Sequence, residues 1–403
     1  MSFRGGAGLL TLLVLSVTIN YIDRGALSVA APIISKELDL TTAQMGLLLS
    51  AFFWTYATSQ LIVGPLVDRY PVKWVYAIGY LVWSLATAAV GMLYSLPALL
   101  AARFVLGLGE SVAYPACSKV IVQTFPEGRR GLANAMVDAG SKVGPGLSTL
   151  LGGLAVAAWG WRGVFIGIGF GSLFWLIPWL MSAPSEDTDT GTAVAAPGWS
   201  EMLSNRQVWV SSLGMFTYGY TNYFLLTWLP SYLIKERGFS MEDMATLGSI
   251  PFWTMAAASL AAGAASDALI RGGRSASGVR KAFAASGLAL CGVGMLTAPM
   301  VPSATHSLLL ITFASAAIGL YSSNVWAITQ TLAGRPAAGR WTGFQNFFGN
   351  LGGVIAPLAT GMIVSQTGSF LLAFWTAAAI LALGVSAYTI FLQRIEPVTW
   401  KTT

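Results

Sequence analysis

Long apolar runs, separated by short polar or Gly/Pro-rich breaks, occupy the chain from residue 8 to about residue 393. A helix needs roughly 20 apolar residues to cross the hydrocarbon core of a bilayer. The pattern therefore predicts an all-α membrane protein with twelve transmembrane helices. The predicted helices are 8–34, 43–67, 73–93, 96–124, 130–157, 163–181, 206–234, 244–266, 281–300, 305–333, 340–365 and 369–393.

One polar and acidic segment divides these twelve helices into two sets of six. Residues 182–205 are poor in large apolar side chains, which is typical of a linker. The predicted domains are an N-terminal six-helix bundle (1–181), this linker, and a C-terminal six-helix bundle (206–403).

The two halves also repeat one another. Gly64 and Asp68 at the end of the second helix recur with the same spacing as Gly263 and Asp267 at the end of the eighth. Two similar six-helix units that both start on the same side predict bundles related by a pseudo-two-fold axis, as in transporters with parallel repeats.

Composition excludes a soluble protein and gives the membrane topology. Only 9% of the 403 residues are charged, 55% are hydrophobic, and the mean hydropathy is +0.67. Of the 22 Lys and Arg residues, 14 lie in connectors on one side and 4 on the other. The positive-inside rule then predicts that both termini and the linker are cytoplasmic, in a multi-pass protein of the cell (inner) membrane. The net charge of +6 follows from this bias and indicates no nucleic-acid binding.

Several classes of chemistry have no sequence support. Cys117 and Cys291 both lie inside apolar runs, and His306 is the single histidine. No nucleotide-binding loop or metal-ligand spacing is present. The sequence therefore predicts neither metal nor cofactor, and no enzymatic activity.

Charged residues inside the predicted spans are confined to the first half. They are Asp23 and Arg24 in the first helix, Arg103 and Glu110 in the fourth, and Asp138 and Lys142 in the fifth. The second half offers neutral candidates for a cavity lining, principally Tyr321, Gln345, Asn346 and Asn350. Because charges at bilayer depth are costly, we expect charge and proton handling in the N-terminal bundle.

Arg103 and Glu110 are seven positions apart, which places them about 10 Å apart along one helix face. A guanidinium can donate two parallel hydrogen bonds to a carboxylate, which makes Arg103 the candidate for an acidic ligand. Glu110 is the better candidate to carry a proton, because its proton affinity responds to burial and to nearby cations. Asp23 beside Arg24 fits a gate, a second proton site or a structural salt bridge.

Other positions keep two interpretations. Lys142 follows Asp138 by four residues, so the two can form an ion pair on one helix, or Lys142 can anchor a second anionic group. Tyr21 and Tyr56 can hydrogen-bond a ligand's hydroxyl groups or serve only in packing. The amides and Tyr321 in the second half can contact a ligand or hold helices together.

The connector after the second helix carries a recognisable motif. Gly64, Leu66, Asp68, Arg69 and Lys73 resemble the signature of the major facilitator superfamily, with Pro71 where that family usually has Gly. The resemblance implies a latch between helix ends, in which the Asp68 carboxylate meets helix termini and basic side chains.

Helices one and four carry a finer resemblance. The segment Asn20–Pro32 reads NYIDRGALSVAAP, and Arg103–Pro115 reads RFVLGLGESVAYP. Both resemble the anion:cation symporter family, which includes bacterial galactonate, glucarate and hexuronate transporters and the animal vesicular glutamate and sodium–phosphate transporters. The resemblance implies that Asp23 and Glu110 couple protons and that Arg103 binds a substrate carboxylate. Lys142 departs from it, since the family usually has a neutral amide there.

These features together predict a secondary active transporter that works by alternating access. The expected activity is proton-coupled uptake of a small organic anion, a sugar acid or related carboxylate, by a monomer in the lipid bilayer, with sodium as an open alternative to protons. The alternative substrates are aromatic or short-chain mono- and dicarboxylates. A protein of another class, a transporter-like ligand sensor, is the alternative function.

Overall fold

A computed structural model describes residues 3–125, 127–183, 197–392 and 394–400. Within these ranges the chain is helical and contains no strand. The α-helices are α1 (Phe3–Glu37), α2 (Thr42–Arg69), α3 (Val72–Val90), α4 (Leu96–Glu110), α5 (Ala113–Thr124), α6 (Glu127–Leu147), α7 (Gly153–Ser172), α8 (Leu176–Ser182), α9 (Trp199–Ser204), α10 (Arg206–Lys235), α11 (Met241–Leu247), α12 (Ile250–Arg271), α13 (Ala276–Thr297), α14 (Ala304–Thr367) and α15 (Leu371–Ser386).

Glycine breaks separate successive crossings where the helices appear continuous. Gly160 inside α7 has φ 72° and ψ 158°, and Gly334 inside α14 has φ 62° and ψ 179°. These backbone conformations carry a steric penalty for any residue with a Cβ atom. Gly160 lies between the predicted fifth and sixth helices, and Gly334 lies between the tenth and eleventh.

Helix lengths match a protein that crosses the membrane many times. Nine helical stretches among the described residues are long and apolar enough to span a bilayer. One of them, Met136–Ser182, has 47 residues and is interrupted by Gly160, so it supplies two crossings. With α2 and α10, which have 28 and 30 residues, the total is twelve.

The described residues form two compact units. The first unit lies within Met1–Gly191 and Leu226–Ser249, and the second within Thr192–Leu225 and Ile250–Thr403. Gly153 explains part of the first grouping, because a Cβ atom there would lie 2.5 Å from Ala245 Cβ, so α11 packs directly on α7. The domain boundaries expected from the six-plus-six helix count stay a prediction. Of the expected linker, residues 184–196 lie outside the described residues.

Stacked aromatic side chains form the core of the first unit. Tyr80 stacks on Trp175 at 4.2 Å between ring centroids, and Trp175 stacks on Trp179 at 5.1 Å. The indole nitrogens of these tryptophans donate to the backbone carbonyls of Leu12 and Lys73. Because both indole N–H groups have a partner, the stacked rings join α3 to the end of the sixth crossing.

Small residues let α6 cross α1 at close range. A Cβ atom on Gly144 would lie 2.5 Å from Tyr21 Cβ and 2.9 Å from the Thr18 carbonyl oxygen. Gly140, one turn earlier, faces the same helix, with Thr18 Oγ1 2.8 Å from its would-be Cβ. Such close backbone approach is typical of helix packing in membranes.

Gly144→Ala is expected to destabilise the folded protein by about 1–3 kcal/mol, because the added methyl group overlaps α1 backbone and the Tyr21 stem. Thermal unfolding of the purified protein in detergent measures the effect. Gly167→Ala is the matched control, since Gly167 is exposed and nothing lies within 4 Å of its would-be Cβ. Equal unfolding temperatures for the two variants would contradict the close packing of α6 against α1 at Gly144.

The second unit is held together by polar contacts between its helices. Trp341 Nε1 donates to Ser211 Oγ at 2.9 Å, which joins α14 to α10. The Tyr321 and Tyr388 hydroxyls lie 3.1 Å apart. The segment after α15 is bonded to α14, since Val398 N donates to the Leu332 carbonyl and Trp400 Nε1 to the Ala333 carbonyl, both at 2.8 Å.

Candidate functional site

Four charged side chains are buried in the first unit, and no other charged side chain that the structure describes is buried to that degree. Asp23, Arg24, Arg103 and Glu110 are each 3% exposed or less. All four lie in spans where the sequence placed charges at bilayer depth. Ionisable groups in such positions are costly and usually serve function.

Two local breaks position these side chains. Helix α4 ends at Glu110, and α5 begins at Ala113 after a short turn. Pro115 cannot donate a backbone hydrogen bond to the Ser111 carbonyl, which accounts for the break beside Glu110. On the α1 side, Ser148 begins a π-helical turn after α6 and donates to the Ile22 carbonyl at 2.9 Å, next to Asp23.

Arg24 is held by a carboxylate and by aromatic rings. Its Nε donates to Glu110 Oε2 at 2.8 Å, so it pairs with a residue on α4 rather than with its neighbour Asp23. Its guanidinium carbon also lies 4.3 Å from the Tyr56 ring centroid, 4.6 Å from that of Tyr21 and 4.8 Å from that of Phe52. Cation–π contacts of this kind stabilise a desolvated cation.

Arg103 is equally buried but less completely engaged. Its guanidinium carbon lies 5.2 Å from the Phe52 ring centroid, and both Asp23 and Glu110 are within electrostatic reach. Two of its nitrogens, Nε and Nη1, have no hydrogen-bond partner in the described part of the chain. A buried guanidinium with unused donors can bind an anion without first breaking an existing ion pair.

Further buried polar atoms without partners surround this arginine. Asp23 accepts one hydrogen bond, from Thr87 Oγ1 at 3.3 Å, through Oδ2. Among described atoms, Asp23 Oδ1, Glu110 Oε1 and both amide atoms of Asn20 have no partner at hydrogen-bond geometry, although Asn20 lies beside Glu110. Buried polar groups are usually paired, so this concentration of unpaired atoms makes the cluster the candidate functional site.

The remaining predicted groups of the first unit adjoin this cluster. The Tyr21 and Tyr114 hydroxyls lie 3.5 Å apart, and Tyr56 is buried against Arg24. On α6, Lys142 Nζ donates to Asp138 Oδ2, which is the ion pair expected from their spacing.

In the second unit the predicted residues are mainly bonded to one another or to neighbouring helices. Gln345 accepts from Thr329 Oγ1 and donates to the Ser211 carbonyl at 3.2 Å, so both ends of its amide are engaged. Asn350 accepts from the Tyr223 hydroxyl at 3.0 Å and donates to the Asn346 carbonyl at 2.9 Å.

Exposure separates two of these residues. Tyr321 is fully buried, whereas Asn346 is half-buried. Asn346 therefore has the more open side chain.

The motif after α2 is only partly described. The side chains of Gly64 and Asp68 lie outside the described residues. Arg69 is exposed, Lys73 Nζ lies 5.8 Å from the Trp74 ring centroid, and Asp267 in the repeat is exposed on α12.

Sequence reasoning missed several residues that complete the site. Lys119 donates to the Val67 and Tyr70 carbonyls at 2.6 and 3.3 Å, and thereby caps the end of α2. Phe52 contacts both buried arginines, and Thr87 binds Asp23. Lys119 could have been found as a candidate, because it is a basic residue at the edge of a predicted span. Phe52 and Thr87 could not, because a Phe or a Thr in an apolar run does not stand out from its neighbours.

No group of three or more His, Cys, Asp or Glu in the described part of the chain is placed to hold a metal ion. The donors present, two guanidinium groups and tyrosine hydroxyls, suit an organic anion. The chain is therefore a multi-pass membrane protein whose first unit buries two guanidinium groups beside two carboxyl groups.

Comparison with known proteins gives the family. The model of the Major Facilitator Superfamily matches residues 13–357 and 242–403. The chain belongs to the major facilitator superfamily, and it is a transporter rather than an enzyme.

Curated relatives match over nearly the whole chain. The hexuronate transporter of Bacillus subtilis (strain 168) is 31% identical over 402 residues, covering 96% of this chain and 94% of that protein. A probable sulfoacetate transporter of Cupriavidus necator is 30% identical, covering 92% and 90%. A probable L-galactonate transporter of Escherichia coli (strain K12) is 31% identical, covering 95% and 88%.

A solved structure agrees on the fold. The bacterial homolog of the human lysosomal transporter Spinster superposes with a TM-score of 0.82, covering 96% of this chain and 97% of the other, at 18% identity. The prediction of twelve transmembrane helices in two six-helix bundles related by pseudo-two-fold symmetry is thereby confirmed.

Proposed function

We propose that this protein is a proton-coupled symporter that takes up a small organic anion, a sugar acid or related carboxylate. The observation that carries the proposal is Arg103, a guanidinium 2% exposed with two unused donor nitrogens, beside two buried acids. Relatives at about 30% identity named as hexuronate, galactonate and sulfoacetate transporters support an organic-acid substrate.

Arg103 binds the substrate carboxylate in this proposal. Its planar fork can form two parallel N–H···O bonds, and its unused nitrogens are available without rearrangement. Tyr21 and Tyr56, which line the Arg24 guanidinium, would bind hydroxyl groups of the substrate. The second-unit contacts expected from the sequence, Tyr321, Gln345, Asn346 and Asn350, stay predictions, and Asn350 donates to the Asn346 carbonyl.

Glu110 and Asp23 couple transport to protons. When Glu110 accepts a proton, the attraction between Glu110 and Arg24 weakens, and Arg24 can turn to the substrate's negative charge. Proton and anion then favour each other's binding, which is the thermodynamic coupling a symporter needs. Thr87 holds Asp23 in reach of Arg103, so the same reasoning applies to a second proton.

Orientation and gating complete the proposal. The Lys and Arg bias supports a protein of the inner membrane with both termini and the linker in the cytoplasm. A monomer suffices for transport in this proposal. The motif formed by Gly64, Asp68, Arg69 and Lys73, with Asp267 in the repeat, would latch helix ends during alternating access. Lys119 contributes by capping α2 next to that motif.

A binding and uptake experiment tests this function. Organic acids should raise the unfolding temperature of the purified protein, and neutral sugars should not. Proteoliposomes with an inward proton gradient should then accumulate the stabilising acid. Stabilisation by neutral sugars alone would contradict the anion assignment, and accumulation driven only by a sodium gradient would contradict proton coupling. Binding without any uptake would favour a sensor.

A further inference from the structure

The ion pair on α6 is built differently from the buried cluster. Lys142 Nζ donates to Asp138 Oδ2, and the two side chains are 17% and 44% exposed respectively. Ser141 Oγ donates to the Asp138 carbonyl at 2.6 Å and reaches Asp138 Oδ1 at 3.3 Å. Lys142 is thus the more buried partner, and its counter-ion is the more open one. A pair of this kind can exchange its anion, because the carboxylate has solvent to move into.

Tyrosine hydroxyls connect this pair to the buried cluster. Asp138 is within electrostatic reach of both Tyr21 and Tyr114, whose hydroxyls lie 3.5 Å apart. The Tyr21 ring in turn contacts the Arg24 guanidinium at 4.6 Å. Asp138, the counter-ion of Lys142, is therefore linked through Tyr21 to the group of side chains that contains Arg24.

The charge balance of this unit favours a doubly charged ligand. Three cations, Arg24, Arg103 and Lys142, face the three acids Asp23, Glu110 and Asp138. The group is neutral when all are ionised. If Asp23 and Glu110 are protonated, it carries two positive charges. Two negative charges on the ligand then restore neutrality, whereas one leaves a net positive charge. Because uncompensated charge is costly in a low-dielectric environment, the doubly charged ligand is favoured.

We propose that Lys142 selects substrates with two acidic groups, either two carboxylates or a carboxylate and a sulfonate. Arg103 binds the first acidic group. The second replaces Asp138 on the Lys142 ammonium, and Asp138 keeps its contact with Ser141. The inference rests on the proposed function, since it assumes that organic acids bind at Arg103. An ion pair with only a structural role on one helix would stabilise that helix by about a few tenths of a kcal/mol and would not discriminate between ligands.

Two acids with the same carbon chain test the inference. Glucarate has two carboxylates and gluconate has one, and the Kd of each is measured on purified protein from tryptophan fluorescence. Wild-type protein should bind glucarate more tightly. Lys142→Gln should raise the ratio of the glucarate Kd to the gluconate Kd by about 10- to 100-fold, because one charge-assisted contact is lost. Lys36→Gln, at the exposed end of α1, is the control and should leave the ratio unchanged.

A double variant separates contact from net charge. Lys142→Gln with Asp138→Asn restores the overall charge but not the ammonium, so we expect glucarate binding to stay weak. Recovery of glucarate binding in the double variant would overturn the proposed contact. Asp138→Asn alone removes the competing anion and should keep or tighten glucarate binding. If Asp138→Asn binds glucarate and gluconate more weakly, and by the same factor, the proposal is also contradicted. This test applies even if Lys142→Gln fails to fold.

The outcomes also separate this inference from the proposed function. If wild-type protein neither binds nor accumulates any organic acid, the proposed function fails. If the wild-type protein binds both acids and Lys142→Gln weakens the binding of both by the same factor, only the selection by Lys142 fails.

Discussion

Glu110→Gln is expected to abolish accumulation of substrate against a gradient while preserving exchange of substrate across the membrane. The amide imitates the protonated acid in shape but cannot gain or lose a proton. It also removes the negative charge that pairs with Arg24 at 2.8 Å. Binding then no longer depends on protonation of Glu110, and the proton that releases Arg24 for the substrate can no longer drive accumulation.

Proteoliposomes measure both activities on the same preparation. With an inward proton gradient, the inside-to-outside substrate ratio should fall to about one in the variant, while counterflow with substrate-loaded vesicles continues. Glu37→Gln is the control, because Glu37 is also paired with an arginine, Arg162, at 2.9 Å but lies at the end of α1. Undiminished gradient-driven accumulation by Glu110→Gln would refute the role of Glu110.

Arg103→Lys is expected to weaken substrate binding by about 10- to 100-fold. The substitution keeps the positive charge but replaces two parallel donors on a planar group with an ammonium, which cannot form the same paired contact. A hydrogen bond to a charged group contributes about 1.5–3 kcal/mol, which corresponds to that range. Because Arg103 makes no hydrogen bond through Nε or Nη1 to described residues, the loss should appear in binding more than in stability.

Ligand titration and thermal unfolding together check this second prediction. The Kd should rise in Arg103→Lys, while the unfolding temperature without ligand changes little. Arg274→Lys serves as the control, since Arg274 is exposed beyond the end of α12 and should alter neither quantity. An unchanged Kd in Arg103→Lys would show that another group binds the carboxylate.

Some features of the site were readable from residue type and position. A charged residue inside a long apolar run has few structural uses in a membrane, so Asp23, Arg103 and Glu110 were identifiable without coordinates. Breaks at 158–162 and 334–339 were also readable from the hydropathy pattern, and the structure shows that Gly160 and Gly334 form them with positive φ. Helical spacing allowed the ion pair of Lys142 with Asp138, with an anionic ligand as the alternative partner of Lys142.

The partners of the buried charges were not readable. Arg24 and Glu110 are separated by 86 positions, and nothing in either segment indicates that Arg24 turns to α4 rather than to Asp23 beside it. Phe52 contacts two arginines, yet as a residue it is indistinguishable from the many apolar side chains around it.

By itself, therefore, the sequence determined that this chain is an α-helical membrane protein with two related halves, and which crossings carry its charges. Tertiary structure alone decided which charges meet, that Arg103 keeps unused donors, and that residues 226–249 group with the first unit. The physical reason is that the lipid-facing and core-facing sides of a membrane helix are both apolar. Hydropathy then marks the length of a helix but not the rotation about its axis, and that rotation selects each side chain's partner.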